Sequence, residues 1–192
     1  IPTLSSLEAM RIALSCVHGL IMPGGPGIND GLIGTLPDDL AQTADERTQS
    51  DLYAFEAARQ RDMPMLGICY GMQFINARFG GTIYGDLQQE IGVGAHHPKR
   101  TDLAILEHGV TIESGSRLRD LIQQPGLVNS YHIQAVADVG QGLSVNLRSD
   151  DGLVEGVESE DGRIVGVQFH PEKMPDTVWE SLFTDLVVRC HS

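Results

Sequence analysis

A cysteine framed by glycines and a histidine two residues before a glutamate are the side chains here whose types and spacing fit nucleophilic chemistry. In Gly67-Ile68-Cys69-Tyr70-Gly71 the two glycines stand two positions to either side of Cys69. Missing side chains there let the backbone bend tightly enough to lift the middle residue out of a sheet. Its sulfur would then face the first N–H groups of the helix that follows, whose partial positive charge favours the thiolate. A buried core cysteine is the other reading of the same pattern. A thiol nucleophile needs a base, and the base an orienting partner. His170-Pro171-Glu172 supplies both types. In an extended segment residues two apart share a side, so the imidazole and carboxylate can face each other while Pro171 stiffens the link. A surface turn remains the alternative.

The elements that would place these groups follow from pattern. Met65, Leu66 and Ile68 form a short apolar run before Cys69, and Met72, Phe74, Ile75 and Phe79 recur at helical spacing until Gly80-Gly81. This predicts strand, sharp turn and helix. Upstream, Leu4 to Cys16 reads as a helix capped by Ser5 or Ser6, with Cys16 packed in it, and Val17 to Met22 as a buried strand. That strand breaks at Pro23-Gly24-Gly25-Pro26-Gly27, either an ordinary turn or a loop whose backbone can approach a ligand. Residues 31–42 read as a loop, and Thr43 with Glu46 forms a capping box for a helix towards Arg61, with Leu52, Phe55 and Ala58 on one face.

Beyond the elbow helix, Thr82 to Tyr84 is predicted as a short strand and 85–100 as an irregular polar stretch containing His96-His97. Those two histidines lack further ligands at metal spacing and read as a solvated loop. Leu103 to Leu106 and Val110 to Ile112 read as strands, Ser116 to Gln123 as a short helix, and Val128-Asn129-Ser130-Tyr131-His132 as a polar cluster that is either loop or binding site. Leu143 to Leu147, Leu153 to Glu158 and Arg163 to Phe169 form a three-stranded meander with hairpin turns at Asp150-Asp151-Gly152 and Glu160-Asp161-Gly162. A last amphipathic helix carries Val178, Leu182, Phe183, Leu186 and Val187. Helices alternating with strands predict an α/β chain with a largely parallel sheet. Cys69 and His170 each follow an apolar strand, where sites in such sheets lie.

Composition narrows the partners. The 192 residues, 41% hydrophobic and 20% charged, fit one globular domain. Twenty-six acidic against thirteen basic residues give a formal charge of -13, which disfavours nucleic acid and anionic membranes as partners. Three widely spaced cysteines cannot close a disulfide framework, and no apolar run is long enough for a span or signal, so a cytoplasmic location is expected.

Taken together these residues resemble the class I glutamine amidotransferase-like family with its Cys-His-Glu triad. Gly67-Ile68-Cys69-Tyr70-Gly71-Met72-Gln73 is similar to its nucleophile motif, Gly166-Val167-Gln168-Phe169-His170-Pro171-Glu172 to its His-Glu motif, and Pro23-Gly24-Gly25 to its oxyanion strand. Val128 to Gln134, with His108-Gly109-Val110 and Gly115-Ser116-Arg117-Leu118, looks most like the peptidase C26 γ-glutamyl hydrolases, typified by γ-glutamyl-γ-aminobutyrate hydrolase. Tyr70 stands where that group often has Arg, and Cys-Tyr-Gly-Met-Gln is closer to the glutaminase domain of GMP synthase.

The resemblance implies one domain over 1–192 with a three-layer αβα, flavodoxin-like fold, a mostly parallel central sheet and a C-terminal antiparallel meander, its first strand and helix lying before Ile1. It implies Cys69, His170 and Glu172 as the triad, Gly25 and Tyr70 as oxyanion N–H donors, and Gly24, Gln73, Asn129, Ser130, Tyr131 and His132 around the substrate. It implies no metal and no organic cofactor. A free-standing hydrolase of a small γ-glutamyl amine is the preferred expectation. A glutaminase feeding ammonia to a synthase partner, and a catalytically silent binding module, stay open, as does a homo-oligomer. Cys69 is expected to be the most readily alkylated thiol.

Overall fold

Helix α1 (Leu7–Leu14) begins where the Ser6 hydroxyl accepts from the Ala9 N–H, and it buries Met10 and Leu14. β1 (Leu20–Met22) follows and ends at the glycine loop. In the computed structural model, which describes residues 3–38, 40–92 and 106–191, the chain continues through β2 (Leu32–Ile33), α2 (Asp45–Gln60), β3 (Met65–Ile68), α3 (Tyr70–Arg78), β4 (Ile83–Tyr84) and α4 (Leu87–Ile91). Then come β5 (Leu106–His108), β6 (Val110–Ile112), α5 (Arg117–Leu121), β7 (Val128–Ser130), β8 (Ala135–Val136), β9 (Leu143–Ser149), β10 (Val154–Ser159), β11 (Ile164–Val167) and α6 (Ser181–Arg189). Single 3-10 turns stand at Pro171–Lys173 and Val178–Glu180.

Strand order along the main sheet is β1-β3-β11-β10-β8-β4-β2, with β9 on β10 and β6 on β9. The strands that carry the two motifs lie side by side: β3 runs parallel to β1 and to β11. In the latter pair Ile68 is opposite Val167, so the residues after both strands emerge together. β9, β10 and β11 form the expected antiparallel meander. β5 and β7 make a separate antiparallel pair.

Alternation along β3 fixes its two faces. Leu66 and Ile68 pack with Val165, Val167, Phe169 and Trp179, over which α6 lays Leu182 and Leu186. Met65 faces the opposite way, into a cluster with Met10, Leu14, Phe55, Ala58 and Phe74 from α1, α2 and α3. Each such buried side chain stabilises the fold by about 1.5–3 kcal/mol. α3 can sit this close to the sheet because glycines line the contact: a Cβ on Gly71 would stand 2.0 Å from Met22 O, and one on Gly67 2.8 Å from Met72 N. Among the described residues no helix is long and apolar enough to cross a membrane.

Several local expectations change. β1 begins only at Leu20, and Ile21 is exposed. The 31–42 stretch contains β2, which pairs parallel with β4. Thr43 does not cap α2; Ala44 holds that position without a side-chain bond, while Thr43 Oγ1 donates to Pro26 O at 3.4 Å. The polar stretch after β4 contains α4, whose first amides bind Asp86 Oδ1. Val178 lies in a 3-10 turn and Val187 is exposed, so α6 buries a narrower stripe than predicted. Cys16 follows α1 and is exposed rather than packed. The His96-His97 pair and residues 103–105 lie outside the described residues.

Candidate active site

Cys69 joins β3 to α3 with φ 51° and ψ −108°, a positive-φ conformation, outside the left-handed helical region, that a residue with a side chain occupies only when its surroundings impose it. Those surroundings are explicit. Its N–H donates to Val167 O at 2.8 Å, its carbonyl accepts from Gln73 N at 3.1 Å, and both neighbouring strands are locked in register. The elbow predicted from glycine spacing is present.

The sulfur is buried, and burial is the largest influence on it: the Cys69 thiol is pushed up to about 12. The Tyr70 backbone N–H pulls the other way, and the carboxylates of Glu155 and Glu172 add to the rise. Burial thus opposes the thiolate that the helix terminus alone would favour. Gln168 Nε2 donates to Cys69 Sγ at 3.4 Å.

His170 Nδ1 and Glu172 Oε1 are 2.7 Å apart, the imidazole largely shielded and the carboxylate half-exposed. A carboxylate on Nδ1 leaves Nε2 as the nitrogen able to accept a proton. Asn129 brackets the His170 backbone with both ends of its amide: Nδ2 donates to His170 O and Oδ1 accepts from His170 N, each at 2.9 Å. Its side chain thus holds the His170 backbone in place. Tyr131 meets the His170 ring edge-on at 5.6 Å between centroids, and Lys173 Nζ lies 4.2 Å above the Tyr131 ring.

A cleft of about 290 Å³ opens in front of the elbow, bordered by Gly25, Cys69, Tyr70, Gln73, Tyr131 and His132. Gln73 spends both amide hydrogens internally, on Gln134 O and Gln168 Oε1 at 3.0 Å each, leaving its carbonyl oxygen as an acceptor. Gly24 packs against the His170 ring, since a Cβ there would lie 2.6 Å from His170 Cε1. His132 is buried, its pKa lowered to about 4 by desolvation. Ser130 is buried in β7 and does not border the cleft.

Three residues outside the predicted set complete the frame. Arg47 of α2 donates to Gly24 O at 3.3 Å, pairs with Asp51 at 3.3 Å and lies 4.8 Å over the Tyr70 ring, while Tyr70 OH donates to Asp51 Oδ2 at 3.1 Å. Gln134 pins the glycine loop from the far side, accepting from Ile28 N and donating to Ile28 O. Gln168 is the third. The one local signal for the first was the i,i+4 spacing of Arg47 and Asp51 on a helix.

Comparison with known proteins places this chain among relatives. The peptidase C26 family model matches residues 1–172. The chain belongs to the peptidase C26 family. It is 33% identical over 175 residues to the glutamine amidotransferase-like protein YvdE of Lactococcus lactis, covering 91% of this chain and 72% of that one. With the γ-glutamyl-γ-aminobutyrate hydrolase of Escherichia coli O157:H7 it shares 31% identity over 165 residues, 81% of this chain and 64% of the other. The crystal structure of a GMP synthase subunit protein from Thermoplasma acidophilum superposes with TM-score 0.63 at 20% identity over 96% of this chain and 78% of that one. That likeness carries the class I glutamine amidotransferase fold. Family and relatives support a C–N amide hydrolase of the glutaminase type.

Proposed function

We propose that this domain is a cysteine hydrolase that cleaves the γ-glutamyl amide bond of a small γ-glutamyl amine through a thioester. The observation that carries the reading is the placement of Cys69 and His170 beyond the ends of two parallel, in-register strands, with His170 Nδ1 2.7 Å from Glu172. Cys69 Sγ gives its proton to His170 Nε2 and attacks the γ-carbonyl carbon. The oxyanion is received by the N–H groups of Gly25 and Tyr70, a donor worth about 3 kcal/mol in such sites. His170 then protonates the departing amine, and water, activated by the same nitrogen, releases glutamate and restores the thiol. Glu172 orients the imidazole and stabilises its charged form.

The raised Cys69 pKa shapes the timing. In the empty site the proton stays on sulfur, so its transfer to His170 belongs to the substrate-bound state, in which the thiolate is consumed as it forms. Gln73 O and the cleft wall at Tyr131 would receive the glutamyl end. The domain works in the reducing cytoplasm, where its three cysteines stay free.

Incubation with glutamine and with a panel of γ-glutamyl amines, each followed by amine and glutamate analysis, tests this. The reading predicts release of substituted amines without any added protein and none from Cys69→Ala. Release of ammonia from glutamine only when a synthase is present, with substituted amides untouched, would replace it with the ammonia-supplying role.

A further inference from the structure

Behind the cleft, three buried side chains from separate segments meet: His108 at the end of β5, His132 just after β7 and Glu155 within β10. Their side chains are 2%, 2% and 0% exposed. His132 Nε2 lies 3.4 Å and His108 Nε2 3.7 Å from Glu155 Oε1, and one ligand atom of each residue falls within 4.8 Å of the others. Each ring turns Nδ1 to a backbone carbonyl, His132 to Gln134 O at 3.0 Å and His108 to Gly109 O at 3.2 Å. A carbonyl only accepts, so both Nδ1 atoms carry hydrogen. In the neutral ring Nε2 is then a lone-pair acceptor.

We propose that His108, His132 and Glu155 bind one divalent ion of the zinc type through two Nε2 atoms and a carboxylate oxygen. Ligands at about 2.0–2.2 Å from a tetrahedral ion stand roughly 3.3–3.6 Å from one another, close to the observed separations. Borderline nitrogen with one carboxylate is a donor set that suits zinc. The carbonyl-anchored Nδ1–H groups are the outer contacts that fix tautomer and ring direction behind metal-bound histidines. His132 also borders the cleft, which gives the ion a way in. The amide cleavage proposed above runs on Cys69 and His170, so this site stands beside that chemistry. It would still be felt there. Glu155 is one of the charges that hold the Cys69 proton, and an ion bound to it reverses that field.

The test is zinc and cobalt binding by the whole chain after chelator treatment, read by elemental analysis and visible absorption. The expected result is about one equivalent of ion per chain. Cobalt should give d–d bands without a thiolate charge-transfer band. Binding should persist in Cys69→Ala and weaken by about tenfold or more in Glu155→Gln and His108→Gln. No stoichiometric uptake by the parent, or equal uptake by both cluster variants, overturns the proposal. If the variants do not fold, the parent's cobalt spectrum decides: nitrogen–oxygen bands support the site, and a thiolate-dominated or featureless spectrum rejects it.

Discussion

Gln168 donates its side-chain N–H to Cys69 Sγ at 3.4 Å while its carbonyl oxygen accepts from Gln73 Nε2 at 3.0 Å. A single buried amide thus ties the sulfur to the glutamine that borders the cleft. Replacing it with methionine keeps the bulk but leaves Gln73 with an unmet hydrogen. Gln168→Met is expected to lose about 1–3 kcal/mol of stability in denaturant titrations. Turnover should fall as well, chiefly in kcat, because the sulfur loses its tether. Unchanged stability and kcat would show that the amide does neither.

Protonation of Cys69 sets a pH dependence whose sign is fixed by its raised pKa. The native state holds that proton more tightly than the unfolded chain. The stability it contributes is therefore complete below the ordinary thiol pKa of about 8.5 and is lost as pH rises from there towards about 12. In the substrate-free protein, alkylation mapped by peptide mass should modify exposed Cys16 before Cys69 at neutral pH. Cys69 reacting first would mean that its thiolate is already present.

His132 gives the opposite slope in acid. Its folded pKa is depressed to about 4, so stability is present above the unfolded value of about 6.5 and is lost as pH falls through that interval. Thermal melts between pH 7 and 4 should show the loss in the parent and a smaller one in His132→Gln. Parallel profiles would contradict the assignment.

Asn129 is expected to act through the backbone of the base. Asn129→Asp keeps the bond to His170 N but sets a carboxylate oxygen against His170 O, where the amide donated at 2.9 Å. We expect kcat to fall by about 10–100-fold with KM nearly unchanged, since misplacing a reacting group by an ångström costs that much. A change confined to KM would return Asn129 to the substrate.

Gly24 tests the fit between the glycine loop and the base. A methyl placed 2.6 Å from His170 Cε1 must displace the ring. Gly24→Ala should retain the fold by circular dichroism and lose most turnover; full activity would show that the ring has room to move.

The two motifs were legible in the sequence because they encode local backbone. Gly67 and Gly71 announce a bend, and His170 and Glu172 stand two residues apart, although a 3-10 turn at Pro171–Lys173, not the expected extended segment, brings their side chains together. The helix around Phe55 and Ala58 and the meander before Phe169 were equally local. The frame around the site was not. Gln134 reaches Ile28 and Gln168 reaches Cys69 across 106 and 99 residues, and no local period records such contacts. The protonation state of Cys69 escapes a sequence reading for the same reason: a helix terminus is visible in the sequence, whereas the depth of burial that outweighs it comes from the packed fold. The short elements β2 and α4 carry too few residues for a period to register, and pairing with β4 and the Asp86 cap establish them instead.

The central claim is that Cys69 carries the acyl group. Rapid mixing with a γ-glutamyl amine, acid quenching and peptide mass mapping measures this directly. A γ-glutamyl thioester on the peptide containing Cys69, formed in the parent, absent in Cys69→Ala and strongly reduced in His170→Ala, is the predicted result. Hydrolysis that continues in Cys69→Ala, or an adduct on any other residue, would contradict it.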